Sequence, residues 1–183
     1  VLDHRDRIAY ACRSPRTDAG LVEAWCAELG YEPILFDATD AGGVPYYHTN
    51  VMLAVGERVA VVAAESIAAA DRGRVLARLE ASGREVLSID RRDVAGFAGN
   101  VLELASWDES LGDCRVLVMS ESALRSFGDE RFARLAGCTD DVLVVPLPTI
   151  ERLGGGSIRC MLAEVFLPVA PARSAPLVAG PSR

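Results

Sequence analysis

The stretch VAVVAAESIAAADRGRVLARLEASGREVLSI, residues 59–89, contains one complete structural unit. An apolar run, Val59–Ala64, has the length and β-branched content of a buried strand. Glu65 and Ser66 interrupt it, and the apolar residues that follow recur at helical spacing. Over Ala69–Ala81, Leu76 and Leu79 flank Arg74, Arg78 and Glu80, which predicts an amphipathic helix. Gly83 stops that helix, and Glu85–Ile89 predicts a second strand.

Outward from this unit, the same order of events occurs twice more. On the N-terminal side, Ile8–Arg13 leads through Ser14-Pro15 into a helix over Ala19–Leu29, then into a strand over Pro33–Phe36. Thr17 or Asp18 is the expected N-cap and Gly30 the stop. On the C-terminal side, Arg115–Met119 leads through Ser120-Glu121-Ser122 into Ala123–Ala136, then past Gly137 to Asp141–Val145. The starts at Ile8, Val59 and Val116 lie about 50 residues apart, the spacing of a modular array or propeller. Each unit also has an apolar strand ahead of it, at Val1–Asp3, Asn50–Val55 and Asn100–Leu104. The fold class expected is therefore α/β, built of strand-strand-helix-strand repeats. Ile158–Leu167 predicts a closing strand beside the Val1–Cys12 hairpin, and residues 170–183, rich in Ala, Pro and Ser, predict a flexible tail. The first residues, Val1 onward, are already in a strand, so the chain is expected to be the C-terminal part of a longer protein.

Half of the 183 residues are hydrophobic and a quarter are charged, with a net charge of −7. Such a chain can bury a sizeable core. All basic residues are Arg, and the acidic excess leaves no basic stripe for nucleic acid or an anionic membrane surface. The longest apolar run is about six residues, against the roughly 20 that cross a bilayer. Asp3, Arg5, Asp6 and Arg7 occupy the place where a signal peptide would need apolar residues. Five cysteines, Cys12, Cys26, Cys114, Cys138 and Cys160, form no CxxC pair or metal-ligand spacing. Reduced thiols in a cytoplasmic protein without metal or organic cofactor are the expectation, with at most one thiol chemically special.

Two residues carry candidate chemistry. His48 sits in Pro45-Tyr46-Tyr47-His48-Thr49-Asn50, where a loop enters an apolar strand. That placement suits a general acid/base, and it equally suits a buried or turn-stabilising histidine. Cys160 follows Gly154-Gly155-Gly156-Ser157-Ile158-Arg159, and a glycine triplet lets a ligand approach the backbone just ahead of the thiol. No Gly-Lys-Ser/Thr follows, so the triplet is not a phosphate loop. Arg159 favours a thiolate only if its guanidinium turns toward the sulfur.

Three blocks in order resemble the guanidino-group-modifying (pentein) superfamily: Tyr47-His48-Thr49-Asn50-Val51-Met52, Phe97-Ala98-Gly99-Asn100-Val101-Leu102-Glu103-Leu104, and Gly154 to Glu164. Within that superfamily the wording is most similar to amidinotransferase-like citrulline hydrolases. The resemblance implies a five-unit α/β-propeller around a central channel, of which about three units lie here, making residues 1–169 the C-terminal part of a catalytic domain. It implies Cys160 as nucleophile, His48 as general acid/base and Asn50 as a substrate-binding residue. Asn50 stands where arginine deiminases carry an Asp for the cationic guanidinium. A neutral Asn suits a neutral ureido group, which both donates and accepts hydrogen bonds.

The activity implied is hydrolysis of citrulline to ornithine, CO2 and ammonia, acting on a small-molecule amino-acid substrate and leaving room for a homo-oligomer. The family's acidic catalytic residue falls upstream of this chain, and Asp3, its sequence neighbour, is a poor substitute. Glu103 and Glu164 read as structural, and Asn100 as a turn or strand-start residue. Arginine deimination and amidino transfer use the same Cys and His. A ribosome anti-association factor uses the same propeller as a binding scaffold without the pair. This chain keeps both residues, although by itself it can be an inactive piece of the enzyme.

Overall fold

A computed structural model describes residues 1–110 and 112–165. It contains three three-stranded sheets, each with one antiparallel and one parallel pairing. In the first module, β1 (Leu2–Asp3) runs antiparallel to β2 (Ile8–Cys12), helix α1 (Ala19–Leu29) follows, and β3 (Glu32–Phe36) returns parallel to β2. The second repeats this with β4 (Leu53–Val55), β5 (Val59–Val62), α2 (Ala69–Ala81) and β6 (Glu85–Ser88). A short helix, α3 (Arg91–Ala95), leads to the third, with β7 (Leu102–Asp108), β8 (Gly112–Ser120), α4 (Glu121–Ala136) and β9 (Asp141–Val145). Helix α5 (Pro148–Leu153) follows. The strand-strand-helix-strand repeat expected from the sequence is thus the architecture.

Local chemistry explains the boundaries. Asp18 accepts the Leu21 N–H at 2.9 Å to start α1, and Gly30 ends it in the left-handed region at φ 70°. Ser120 caps α4 by accepting the Ala123 N–H at 3.1 Å. Asp90 and Asp93 form a reciprocal capping box on α3. The middle strands β2 and β5 are buried along their whole length, as strands covered on both faces must be. One apolar core runs through all three modules, from Ile8, Tyr10 and Phe36 through Met52, Leu53 and Leu79 to Phe127 and Leu135.

The first two modules are also joined by charge. The guanidinium of Arg84 grips Asp3 with both nitrogens, at 2.7 and 2.9 Å, and reaches Asp6 at 3.0 Å. Its Nε donates to the Gly56 carbonyl at 2.6 Å. Asp3 and Arg84 are both buried. Asp3 is therefore a structural ion-pair partner.

Several expectations need correction. Over its described residues the closing strand does not form: Ile158–Met161 is a single 3-10 turn, and residues 162–165 join no sheet. Residues 166 and 167 of that segment, and the expected tail 170–183, lie outside the described residues. The turn satisfies itself locally, with the Cys160 N–H donating to Ser157 and the Leu162 N–H to Arg159. The strand expected over Asn50–Val55 begins only at Leu53, because Thr49–Val51 forms another 3-10 turn. The third leading strand starts at Leu102 and extends to Asp108, making a longer hairpin than the sequence suggested. Helix α4 is interrupted at Gly128, whose φ of 65° and ψ of 169° are not helical.

Candidate functional site

Three segments are tied together around Cys160. The first carries Tyr47, His48 and Asn50 between β3 and β4. Thr49 is buried there, and its hydroxyl accepts the Cys12 N–H at 2.8 Å, fastening this loop to the end of β2. His48 and Asn50 flank it, His48 exposed and Asn50 half-buried. The Tyr47 hydroxyl donates to the Gly155 carbonyl at 2.8 Å, and its ring centroid lies 4.9 Å from that of His48. The histidine loop is thereby tied directly to the glycine triplet ahead of Cys160.

The second segment is the turn between α3 and β7. Phe97 adopts φ 68°, the left-handed region that an aromatic residue seldom occupies, and Gly99 follows it. A Cβ on Gly99 would lie 2.4 Å from the Val51 carbonyl oxygen and 2.9 Å from Met52 Cα. Only glycine lets this turn press against the 49–52 segment. The consequence is Asn100, buried to 3% exposure, whose Nδ2 donates to the Asn50 carbonyl at 3.2 Å and to Cys160 Sγ at 3.2 Å.

The third segment is the glycine loop and its turn. Glu151 on α5 accepts hydroxyl bonds from Ser122 at 2.6 Å and from the fully buried Ser157 at 2.7 Å, anchoring the loop to α4. Burial opposes ionisation of Glu151, but the hydroxyls of Ser120, Ser122 and Ser157 together hold its carboxyl below the usual range. A Cβ on Gly156 would lie 3.1 Å from the Cys160 sulfur, so the glycine keeps that side of the thiol open.

Cys160 is the exposed cysteine of the five, and all five are free thiols. Burial pushes the thiols of Cys12 and Cys26 up. Burial and then the neighbouring Glu85 carboxylate do the same to Cys138. Arg159 does not turn its guanidinium toward the sulfur to hydrogen-bond it: Nη1 donates to the Leu53 carbonyl at 3.0 Å and the Val101 carbonyl at 3.4 Å. Arg159 instead lines a cleft of about 420 Å3 together with Asp3, Arg84, Glu103, Arg115 and Glu164. That cleft includes none of Cys160, His48 or Asn50.

Among the described residues, three buried side-chain atoms lack a hydrogen-bond partner: Tyr10 Oη, Asn50 Oδ1 and Glu103 Oε2. The Asn50 oxygen is the one on the histidine loop, and a bare buried acceptor there is set to receive an N–H. Among the described residues no group of three His, Cys, Asp or Glu side chains could hold a metal ion. No helix among them is long and apolar enough to cross a membrane.

The sequence therefore singled out Cys160, His48 and Asn50, and their segments converge. It missed Asn100, read as a turn or strand-start residue, and Tyr47, whose role depends on a carbonyl 108 residues away. The Gly99-Asn100 dipeptide was the available signal, since a glycine before a buried amide marks a close backbone approach.

The modules and the convergent blocks define a member of the pentein, or guanidino-group-modifying, superfamily. The profile of the family described as N,N dimethylarginine dimethylhydrolase, eukaryotic, matches residues 1–167, and the chain belongs to that family of guanidino-group hydrolases. No curated protein matches the chain. Among solved structures, the fold is similar to the substrate-bound N-terminal domain of ArgZ, an arginine dihydrolase from the ornithine-ammonia cycle in Cyanobacteria. That match has 16% identity and a TM-score of 0.64 over 87% of this chain and 52% of the other. The apo structure of ArgZ gives 16% identity and 0.66 over 88% of this chain and 23% of that one. AgrE with ornithine and NAD+ gives 19% identity and 0.68 over 94% of this chain and 22% of that one. The chain thus spans about half or less of the length of these structures.

Proposed function

We propose that Cys160 is the nucleophile of a hydrolase that cleaves the ureido group of citrulline, with His48 as general acid/base and Asn50 binding the reacting group. The observation that carries this reading is the Asn100 amide, which joins the Asn50 peptide and the exposed Cys160 sulfur through single hydrogen bonds. Family membership and the three-block resemblance support the roles.

In the reaction proposed, the thiolate attacks the ureido carbon, forming a C–S bond. The C–N bond to the terminal nitrogen breaks, and His48 supplies the proton with which ammonia departs. An S-linked thiocarbamate remains. His48 then removes a proton from water, the hydroxyl adds to the same carbon, and the C–S bond breaks. The carbamate released loses CO2 to give ornithine. The chain spans about half or less of the structures it matches, and the proposed activity is that of the whole protein.

Asn50 argues for the neutral substrate. Its amide offers a carbonyl oxygen and an N–H pair, matching a ureido group, whereas a guanidinium offers donors only. An unpaired polar contact costs about 1–3 kcal/mol, loss of a charge-assisted bond adds to that, and each 1.4 kcal/mol is about tenfold. Discrimination of about 10- to 1,000-fold for citrulline follows. Membership in the dimethylarginine hydrolase family favours a second reading, a guanidinium substrate such as arginine or a methylated arginine, and the bare Asn50 oxygen can accept an N–H from either group. Side-by-side kcat/KM for citrulline and arginine on the full-length protein tests the choice. Citrulline is expected to be faster, and Asn50→Asp to shift preference toward arginine. Faster turnover of arginine by the unmodified protein would overturn the substrate assignment.

A further inference from the structure

We propose that Asn100 is a further catalytic residue of this site, its side-chain N–H holding the Cys160 sulfur in the thiolate form. The inference rests on the reading of Cys160 as nucleophile.

The orientation of the Asn100 amide follows from its three partners. Oδ1 accepts the Arg159 backbone N–H at 3.2 Å, and Nδ2 faces the Asn50 carbonyl and Cys160 Sγ, each at 3.2 Å. A flipped amide would set oxygen against the Asn50 oxygen and nitrogen against the Arg159 N–H, losing both bonds. The carbonyl and the peptide N–H, neither of which can change role, therefore point an N–H at sulfur. Sulfur accepts weakly as a thiol and strongly as a thiolate, so this bond favours the charged form. Asn100 is 3% exposed, so protein partners and not water fix its amide, while the sulfur it reaches is open to solvent.

The backbone keeps the amide in place. Gly99 permits the close approach to Val51 and Met52, and the left-handed Phe97 sets the turn. A strained residue beside a reactive group is the pattern expected of a preorganised site. The other charged or titratable groups near the thiol do not replace the donor. Arg159 interacts with Cys160 and Glu164 electrostatically while hydrogen-bonding two carbonyls. Glu151 is occupied by serine hydroxyls, and the contact shown for the His48 ring is with Tyr47, tilted at 60°.

The test is the pH dependence of iodoacetamide alkylation at Cys160, read by peptide mass spectrometry on the full-length protein. Cys160 is expected to react before the other four cysteines. Asn100→Ala removes the donor. Asn100→Asp keeps the acceptor for Arg159 and turns a negative oxygen toward sulfur. Both should raise the alkylation midpoint by about one pH unit, slowing the reaction about tenfold below it, with Asn100→Asp shifted further. A merely structural Asn100 would change exposure of the thiol without moving the midpoint. An unmoved midpoint in Asn100→Ala, with Cys12 and Cys26 still protected, overturns the inference. If Cys160 in the unmodified protein reacts no faster than Cys138, the nucleophile reading fails instead.

Discussion

Replacing Gly99 by alanine should damage the site through the backbone alone. The new Cβ would sit 2.4 Å from the Val51 oxygen and 2.9 Å from Met52 Cα. Both are main-chain atoms, so no side chain can rotate away, and the two segments must separate by roughly 0.5–1 Å, an overpacking cost of about 1–3 kcal/mol. For a chain of this size, each kcal/mol shifts Tm by about 2–4 °C, giving an expected loss of about 2–12 °C. The same displacement breaks the 3.2 Å bond of Asn100 to the Asn50 carbonyl and stretches the one to Cys160 Sγ, so Cys160 should alkylate more slowly near neutral pH. Gly73→Ala is the matched control. It lies within α2, where a methyl group would meet nothing within 4 Å, and alanine should stabilise the helix by about 0.5–1 kcal/mol. Thermal unfolding followed by circular dichroism, with alkylation kinetics on the same samples, decides the matter. A Gly99→Ala protein that melts within about 1 °C of the parent and labels at the parent rate would refute the close-approach argument.

Two further outcomes follow from the ion pairs and the loop anchor. Arg84→Met leaves the buried Asp3 carboxylate without its bidentate partner and should cost about 3–5 kcal/mol by chemical denaturation, much of it recovered when Asp3→Leu is added; equal stability of single and double variants would contradict this. Glu151 has its carboxyl held below the ordinary 4.5, so its stabilisation of the glycine loop is present above that value and lost as pH falls through the lowered one. Hydrogen exchange at residues 154–160, corrected for intrinsic rates, should therefore rise below about pH 4.5 and lose that dependence in Glu151→Gln, while a pH-independent loop would show that the anchor is not the carboxylate.

The sequence by itself determined the modules. Strand runs such as Val59–Val62, the Asp18 and Ser120 caps and the Gly30 stop are local signals, each readable from a few neighbouring residues. A motif resemblance singled out the Cys160 and His48 blocks, and the structure ties their segments together through Tyr47 and Gly155. Only the tertiary structure decided what Asn100 does, because its partners lie 50 and 60 residues away on two other segments and no local pattern says which polar residue will face them. It also decided the fate of residues 158–165. An apolar run becomes a strand only beside a free edge, and Ile158–Met161 instead closes its hydrogen bonds within a turn while the Arg159 side chain bonds the carbonyls of Leu53 and Val101. Burial and pairing are properties of the assembled sheets, so the same apolar residues that specify a module in one place specify a turn at the thiol in another.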